Sequence, residues 1–157
     1  MRHTISILVE NKFGVLARIA GLFSARGFNI DSLTVGETED PTVSRMTIVV
    51  KGDDRVLDQV KKQLNKLIDV ITVKDLKKED SIDRELVLFK VGFGGKEKPK
   101  AAGIIKKAGG LILHTTAKYF LVQMAGPQDK VVALLGQLAD YGIKELTRTG
   151  KIAITKD

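Results

Sequence analysis

The order of apolar patterns along the chain constrains its fold more than any other feature. Residues 3–76 read as strand, helix, strand, strand, helix, strand, and residues 86–154 repeat that order. The repeat predicts an α+β fold of two tandem ferredoxin-like βαββαβ domains, each an antiparallel sheet with its helices on one face. Apolar positions also recur at an offset of 74 residues: Gly52, Leu57, Val60, Leu64 and Leu67 return as Gly126, Val131, Leu134, Leu138 and Tyr141.

The boundary between the two domains is predicted from KKEDSID at residues 77–83, which is charged and lacks periodicity. We therefore predict a first domain over residues 1–77, a linker over 78–83 and a second domain over 84–157. In the second domain the patterns predict strands at 86–91, 111–116 and 119–124, helices at 98–108 and 127–141, and a final strand near 143–154.

The two halves of the chain differ in charge. Residues 1–83 hold 13 Lys/Arg and 13 Asp/Glu, whereas residues 84–157 hold 13 and 6, so the net charge of +7 lies in the second half. A basic half fits an acidic protein surface or a nucleic acid, although a solvated lysine face is the commoner explanation. The chain has no cysteine and no apolar run approaching the roughly 18 residues of a membrane span. These features predict a cytoplasmic globular protein without thiolate chemistry.

The turn and helix start at residues 10–16 are the candidate binding feature. Asn11 follows the first strand, and Gly14 opens a helix whose apolar positions recur at helical spacing. The free N–H groups and positive dipole end of a helix start accept a carboxylate, and Gly14 has no side chain to keep a ligand away. Asn11 and Asn29 add amide groups able to receive an ammonium group and a carboxylate. The pattern therefore fits a small zwitterion better than a phosphate.

These residues also have an ordinary structural explanation. An Asn before a helix is most often a cap, and a glycine in a first turn is often only a tight bend. From spacing alone, plain structure is favoured over a ligand site.

The strand predicted at residues 28–38 is expected at the edge of the first sheet, as the second strand of a βαββαβ unit usually is. An edge strand with this apolar content invites pairing with another copy. We therefore predict that two copies dimerise through the first domain, with the turn at Gly14 near the seam, by which we mean the dimer interface.

Catalytic and metal chemistry are not indicated. His3 and His114 have no neighbours at metal-ligand spacing, and no Ser, His and Asp set is evident. GFGGK at 92–96 departs from both phosphate-binding glycine motifs at Glu97 and is predicted to be a flexible turn. We expect no enzyme activity and no bound metal.

Five segments together resemble the small regulatory subunits of acetolactate synthase, and the first half looks like an ACT domain, a module that binds amino acids at domain interfaces. They span nearly the whole chain, in the order NKFGVLARIAGLFSARGFNIDSLTVGETEDP, SRMTIVVKGDD, QLNKLIDVITV, RELVLFKV and GIKELTRTGKIA. The resemblance implies feedback inhibition by valine, with leucine or isoleucine as alternative effectors.

The resemblance also assigns the site and the partner. It implies an effector site between two ACT domains of a homodimer, formed by Asn11, Gly14, Val15 and Leu16, with Asn29 and Ile30 contributed across the seam. The implied site includes the helix start at Gly14 that backbone chemistry also indicated. With the resemblance, a ligand site is therefore favoured over plain structure. The catalytic large subunit, a separate chain that this one activates, would hold thiamine diphosphate, FAD and Mg²⁺ and condense pyruvate with pyruvate or 2-oxobutyrate. No cofactor is expected in this chain.

Two other functions remain open. One is a free-standing amino-acid sensor with another partner. The other is a nucleic-acid binder using the basic half, for which Phe89, Tyr119 and Phe120 are the candidate stacking residues. The sequence departs from the family pattern at Lys12 and Phe13, where an acidic or polar residue followed by Pro or Ser is more usual, and this bears on access to the pocket.

Overall fold

A computed structural model describes all residues, 1–157, and the first repeat folds in the predicted order. Its elements are β1 (Arg2–Glu10), α1 (Val15–Ala25), β2 (Ile30–Glu37), β3 (Val43–Lys51), α2 (Asp54–Leu64) and β4 (Val70–Asp75). The four strands form an antiparallel sheet in the order β2-β3-β1-β4, so that β2 lies at an edge as expected.

The core of the first sheet lies on the side that the two helices cover. Ile5 and Ile7 of β1 pair with Ile48 and Met46 of β3, and all four side chains are buried. The apolar positions of α1 that follow the helical period, Val15, Ile19, Leu22 and Phe23, complete this core. The strand alternation and the helix period thus meet on one face of the sheet, which confirms the predicted layer arrangement.

The second repeat contains β5 (Ser81–Gly92), α3 (Lys98–Lys107), β6 (Leu111–Thr115), β7 (Tyr119–Gly126), α4 (Gln128–Gln137), a short 3₁₀ turn (Ala139–Tyr141) and β8 (Ile143–Arg148). The strands follow the order β6-β7-β5-β8, which places the second strand of this repeat at an edge too. Its core is separate and is built around Phe89, Val91, Ile105 and Phe120.

The 74-residue offset corresponds to equivalent helix faces. Leu57, Val60 and Leu64 are buried in the first core, and their counterparts Val131, Leu134 and Leu138 are buried in the second. Both repeats are therefore ferredoxin-like units, as the sequence predicted.

The end of the chain differs from the prediction. The strand expected near 143–154 is two strands, β8 and β9 (Ile152–Thr155), separated by Gly150 at φ 83°. The chain divides into one unit of Met1–Ile82 with Lys151–Asp157 and another of Asp83–Gly150. The last seven residues therefore group with the first unit, whereas the sequence placed them in the second domain.

Hydrogen bonds explain why these residues group with the first unit. The Lys151 N–H donates to the Ser32 hydroxyl at 3.1 Å, and the Lys156 N–H donates to the Asp80 carbonyl at 2.9 Å. Ala153, between them, is buried. The predicted linker is also shorter than expected, because β5 already begins at Ser81.

Candidate functional site

The backbone conformation at the start of α1 favours glycine. Gly14 has φ 83° and ψ −8°, in the left-handed region that L side chains rarely adopt. A Cβ atom on Gly14 would also lie 3.1 Å from Nη1 of Arg18. The absent side chain thus leaves the guanidinium of Arg18 close against the backbone at the helix start.

Backbone donors remain available in the first turn of α1. The Arg18 N–H donates to the Gly14 carbonyl at 3.0 Å, which is the first regular bond of the helix. The N–H groups of Leu16 and Ala17 make no hydrogen bond within the chain, no side chain caps the helix, and its first turn holds no acidic residue. These donors and the positive end of the helix dipole favour a carboxylate.

The start of α2, unlike that of α1, is capped by a carboxylate of the chain itself. In α2, Asp53 accepts a hydrogen bond from the Val56 N–H at 2.9 Å. Before α3, the counterpart of α1 in the second repeat, Glu97 accepts from the Gly94 N–H at 3.2 Å, although no side chain caps α3 itself. Residues 94–97 therefore form a hydrogen-bonded turn.

Asn11 ties the turn before α1 to the far end of β2. Its Nδ2 donates to Oε1 of Glu37 at 3.1 Å and to the Pro41 carbonyl at 2.9 Å, and its backbone N–H donates to Thr42 at 2.7 Å. Both amide hydrogens are used, so the group that Asn11 still offers a ligand is its Oδ1 acceptor.

Asn29 and Ile30 lie at the other end of α1 from Gly14. An 11-residue helix is roughly 16 Å long, and these residues follow its last turn. Asn29 donates to Asp31 at 3.1 Å, and Ile30 pairs with Val50 of β3. A single chain therefore does not bring the six predicted site residues together.

The remaining predicted site residues differ in exposure. Val15 is buried in the core, whereas Leu16 is 42% exposed. Phe13, one of the two departures from the family pattern, projects fully into solvent. The turn therefore presents an apolar surface beside the free N–H groups.

An ion pair next to Gly14 was missed by sequence reasoning. Arg18 donates from Nε at 3.0 Å and from Nη2 at 2.5 Å to Oδ2 of Asp69, which is buried. The third nitrogen, Nη1, is the atom that lies against Gly14. Nearby, a hydrogen bond and charge attraction from Glu10 raise the pKa of Lys12. Both cations are paired with carboxylates of the chain, Lys12 with Glu10 and Arg18 with Asp69, so the backbone N–H groups are the main donors left for an anionic group.

Aromatic residues in the second unit do not form a stacking platform. Phe89 and Phe120 are buried in the core. Tyr119 is half-buried, with Lys90 and Lys144 near its ring at 6.0 and 5.6 Å. The interpretation of these three residues as a surface for stacked RNA bases was therefore wrong for two of them.

No cluster of three or more His, Cys, Asp or Glu side chains is placed to hold a metal ion. None of the helices combines the length and apolar character needed to cross a bilayer.

Two family models match the chain. Residues 5–72 match the acetohydroxyacid synthase small subunit-like ACT domain, and residues 84–157 match the small subunit of acetolactate synthase. With the two ferredoxin-like units described above, these matches define a protein with an N-terminal ACT domain.

Similar proteins narrow the family. The chain is 49% identical over 156 residues to a probable acetolactate synthase small subunit from Archaeoglobus fulgidus, covering 99% of this chain and 98% of the relative. It is 42% identical over 160 residues to the acetolactate synthase isozyme 3 small subunit of Escherichia coli, covering 99% and 96%. A solved acetolactate synthase small subunit from Thermotoga maritima superposes with a TM-score of 0.93 at 36% identity, covering 100% and 98%. The chain belongs to the family of acetolactate synthase small subunits.

Proposed function

We propose that this chain is the regulatory subunit that activates the catalytic subunit of acetolactate synthase and makes it sensitive to valine. Membership of the small-subunit family supports the partner. The observation that carries the effector is the open start of α1, where free N–H groups and the Arg18 guanidinium lie beside Gly14. The catalytic subunit would hold thiamine diphosphate, FAD and Mg²⁺, and this chain would hold none.

The proposed effector site needs two copies of the chain. Asn11 is hydrogen-bonded to Glu37 at the end of β2, whereas Asn29 lies just before its start. If two β2 edges pair antiparallel, the start of one strand lies opposite the end of the other. Asn29 and Ile30 of one copy then approach Asn11, Gly14 and Leu16 of the second, which assembles the residues that a single chain keeps apart.

Each group of valine has a matching group in this arrangement. The carboxylate would bind the N–H groups at the helix start, and the ammonium group would donate to the Oδ1 atom of Asn11 or Asn29. The isopropyl group would lie against the exposed apolar side chain of Leu16 and against Ile30 of the second copy. Leucine and isoleucine have the same carboxylate and ammonium groups as valine. The apolar side chains of Leu16 and Ile30 would therefore set the preference among the three amino acids.

The size of valine explains why the site should be enclosed. Valine has eight heavy atoms, and micromolar affinity corresponds to about 8 kcal/mol, or about 1 kcal/mol per atom. An open surface does not supply that efficiency, whereas a cleft closed by two copies does. Binding then becomes linked to the geometry of the dimer, and a preference of about 1 to 3 kcal/mol for one arrangement is enough to shift the activity of a partner.

Co-purification with the catalytic subunit tests this function. We expect the two chains to elute together, the complex to form acetolactate faster than the catalytic subunit alone, and valine to inhibit only the complex. Valine binding without binding to the catalytic subunit would instead identify a free-standing amino-acid sensor. Retention on RNA or DNA that weakens steeply as salt rises would favour nucleic-acid binding.

A further inference from the structure

A groove in the second unit is not used by the proposed effector site. It lies between α3 and the edge strand β6 and has a volume of about 660 Å³. Its apolar lining includes Ala102, Leu111, Ile112 and Phe120, and its charged lining consists of Lys98 and Lys106. We call this feature the α3/β6 groove.

The lysines of the α3/β6 groove have no acidic partner. Neither Lys98 nor Lys106 forms an ion pair, and their neighbours Lys96, Lys100 and Lys107 do not either. The Lys98 ammonium lies 5.7 Å from the centre of the Phe93 ring, which itself packs against Phe120 at 4.5 Å. An unneutralised positive charge is thus positioned at one end of an apolar groove.

We infer that the α3/β6 groove binds an extended acidic segment of the catalytic subunit, whose apolar side chains enter the groove between two carboxylates. This inference rests on the function proposed above. The edge position of β6 suits an extended segment, which can lie alongside an exposed strand. A second copy of this chain fits less well, because the lysines of two α3 helices would then face each other.

The spacing of the two lysines sets the pattern of the bound segment. Lys98 and Lys106 are eight residues apart along α3, which corresponds to roughly 12 Å at 1.5 Å per residue. An extended chain covers that distance in about four residues. The segment therefore has two acidic residues about four positions apart, with apolar residues between them.

Charge reversal on one helix provides a matched test. The double variant Lys98→Glu/Lys106→Glu changes the two groove lysines, and Lys100→Glu/Lys107→Glu makes the same change at two exposed positions of α3 outside the groove. We expect the first variant to weaken binding of the full-length chain to the purified catalytic subunit at least tenfold. The second should weaken it less than threefold, as expected for general attraction between opposite charges.

A second pair of variants tests the apolar lining. Leu111 and Leu113 are both on β6 and are 58% and 51% exposed, but only Leu111 lines the groove. Leu111→Asp should weaken binding to the catalytic subunit, whereas Leu113→Asp should leave it unchanged. Because both side chains are already solvent-exposed, thermal unfolding should be similar for the two variants.

Several results would overturn the inference. Equal losses in the two charge-reversal variants would show attraction spread over the helix rather than binding in the groove. Reduced self-association with unchanged binding to the catalytic subunit would identify a second copy as the occupant. Valine calorimetry on the same variants should match the unmodified chain. If the unmodified chain itself fails to bind the catalytic subunit, the proposed function falls, and this inference falls with it.

Discussion

Gly14 contributes both backbone conformation and open space at the helix start. The positive φ angle disfavours any L side chain, and the nearby Arg18 guanidinium limits the room for one. A carboxylate at the same position would add repulsion toward the carboxylate of an amino-acid ligand. Two substitutions at this residue can separate strain from charge.

We predict that Gly14→Asp lowers valine affinity at least tenfold more than Gly14→Ala does. Both variants place a side chain at φ 83°, which destabilises the folded state by about 1 to 2 kcal/mol. Only the Asp variant places a negative charge where the effector carboxylate would bind. Isothermal calorimetry with valine measures the difference, and undiminished binding by Gly14→Asp would refute the site.

The Arg18 and Asp69 pair predicts an asymmetric response to substitution. Arg18→Met leaves the buried Asp69 carboxylate without its donor, so we expect a loss of about 1 to 3 kcal/mol in the free energy of unfolding. Asp69→Asn retains an acceptor for the half-exposed guanidinium and should lose less. Urea denaturation compares the two variants, and equal losses would contradict the argument.

Sequence reasoning found Gly14 but not its ion-paired neighbour. A glycine at the start of a helical period is a local pattern, which can be recognised from a few neighbouring residues of the sequence. Arg18 and Asp69 are 51 positions apart, and nothing in their neighbourhoods relates them. Asn11 was predicted as a site residue, but its hydrogen bonds to Glu37 and Pro41 depend on how the β2–β3 turn returns to β1.

Among the elements, β2 is the strand through which we propose that two copies pair. It is an edge strand of the first sheet, and its Val35 side chain is 44% exposed. The opposite edge, β4, carries Ile71 at 53% exposure. The two edges therefore offer equivalent positions for the same substitution.

We predict that Val35→Lys converts the proposed dimer to monomers, whereas Ile71→Lys does not. A lysine on a pairing edge places a charge against the partner strand and blunts strand addition. Light scattering coupled to size-exclusion chromatography reports the mass of each variant. The Val35 variant should also lose valine binding, since its site would be incomplete. If only Ile71→Lys produced monomers, the dimer interface would lie at β4 and not at β2.

The order of the elements was predictable because strands and helices that each bury one face have characteristic apolar periods, and both units contain them. The ends of the elements were harder to predict. The stretch from Ile143 onward reads as one strand, but Thr149 and Gly150 interrupt it, and Gly150 has φ 83°. A single glycine does not reveal from sequence whether it bends a strand or ends it.

For the whole molecule, the grouping of residues 151–157 with the first unit changes how the units can be separated. Cutting the chain after residue 82 removes the second unit and also β9. That grouping depends on Ser32 and Asp80, which are more than 70 positions away, so no local pattern predicts it.

We predict that a chain of residues 1–82 joined to 151–157 by a short Gly-Ser linker is more stable than residues 1–82 alone. Two hydrogen bonds, to Ser32 and to Asp80, correspond to about 2 kcal/mol together. Thermal unfolding of the two proteins measures the gain. Identical melting temperatures would show that β9 adds nothing to the first unit.

The same return of the chain affects folding during synthesis. A ribosome completes all of residues 83–150 before residues 151–157, so the later unit can fold while the earlier one still lacks these seven residues. Translation thus finishes the two units in the reverse of the order in which it begins them. The first unit therefore acquires residues 151–157 only after the second unit has been synthesised.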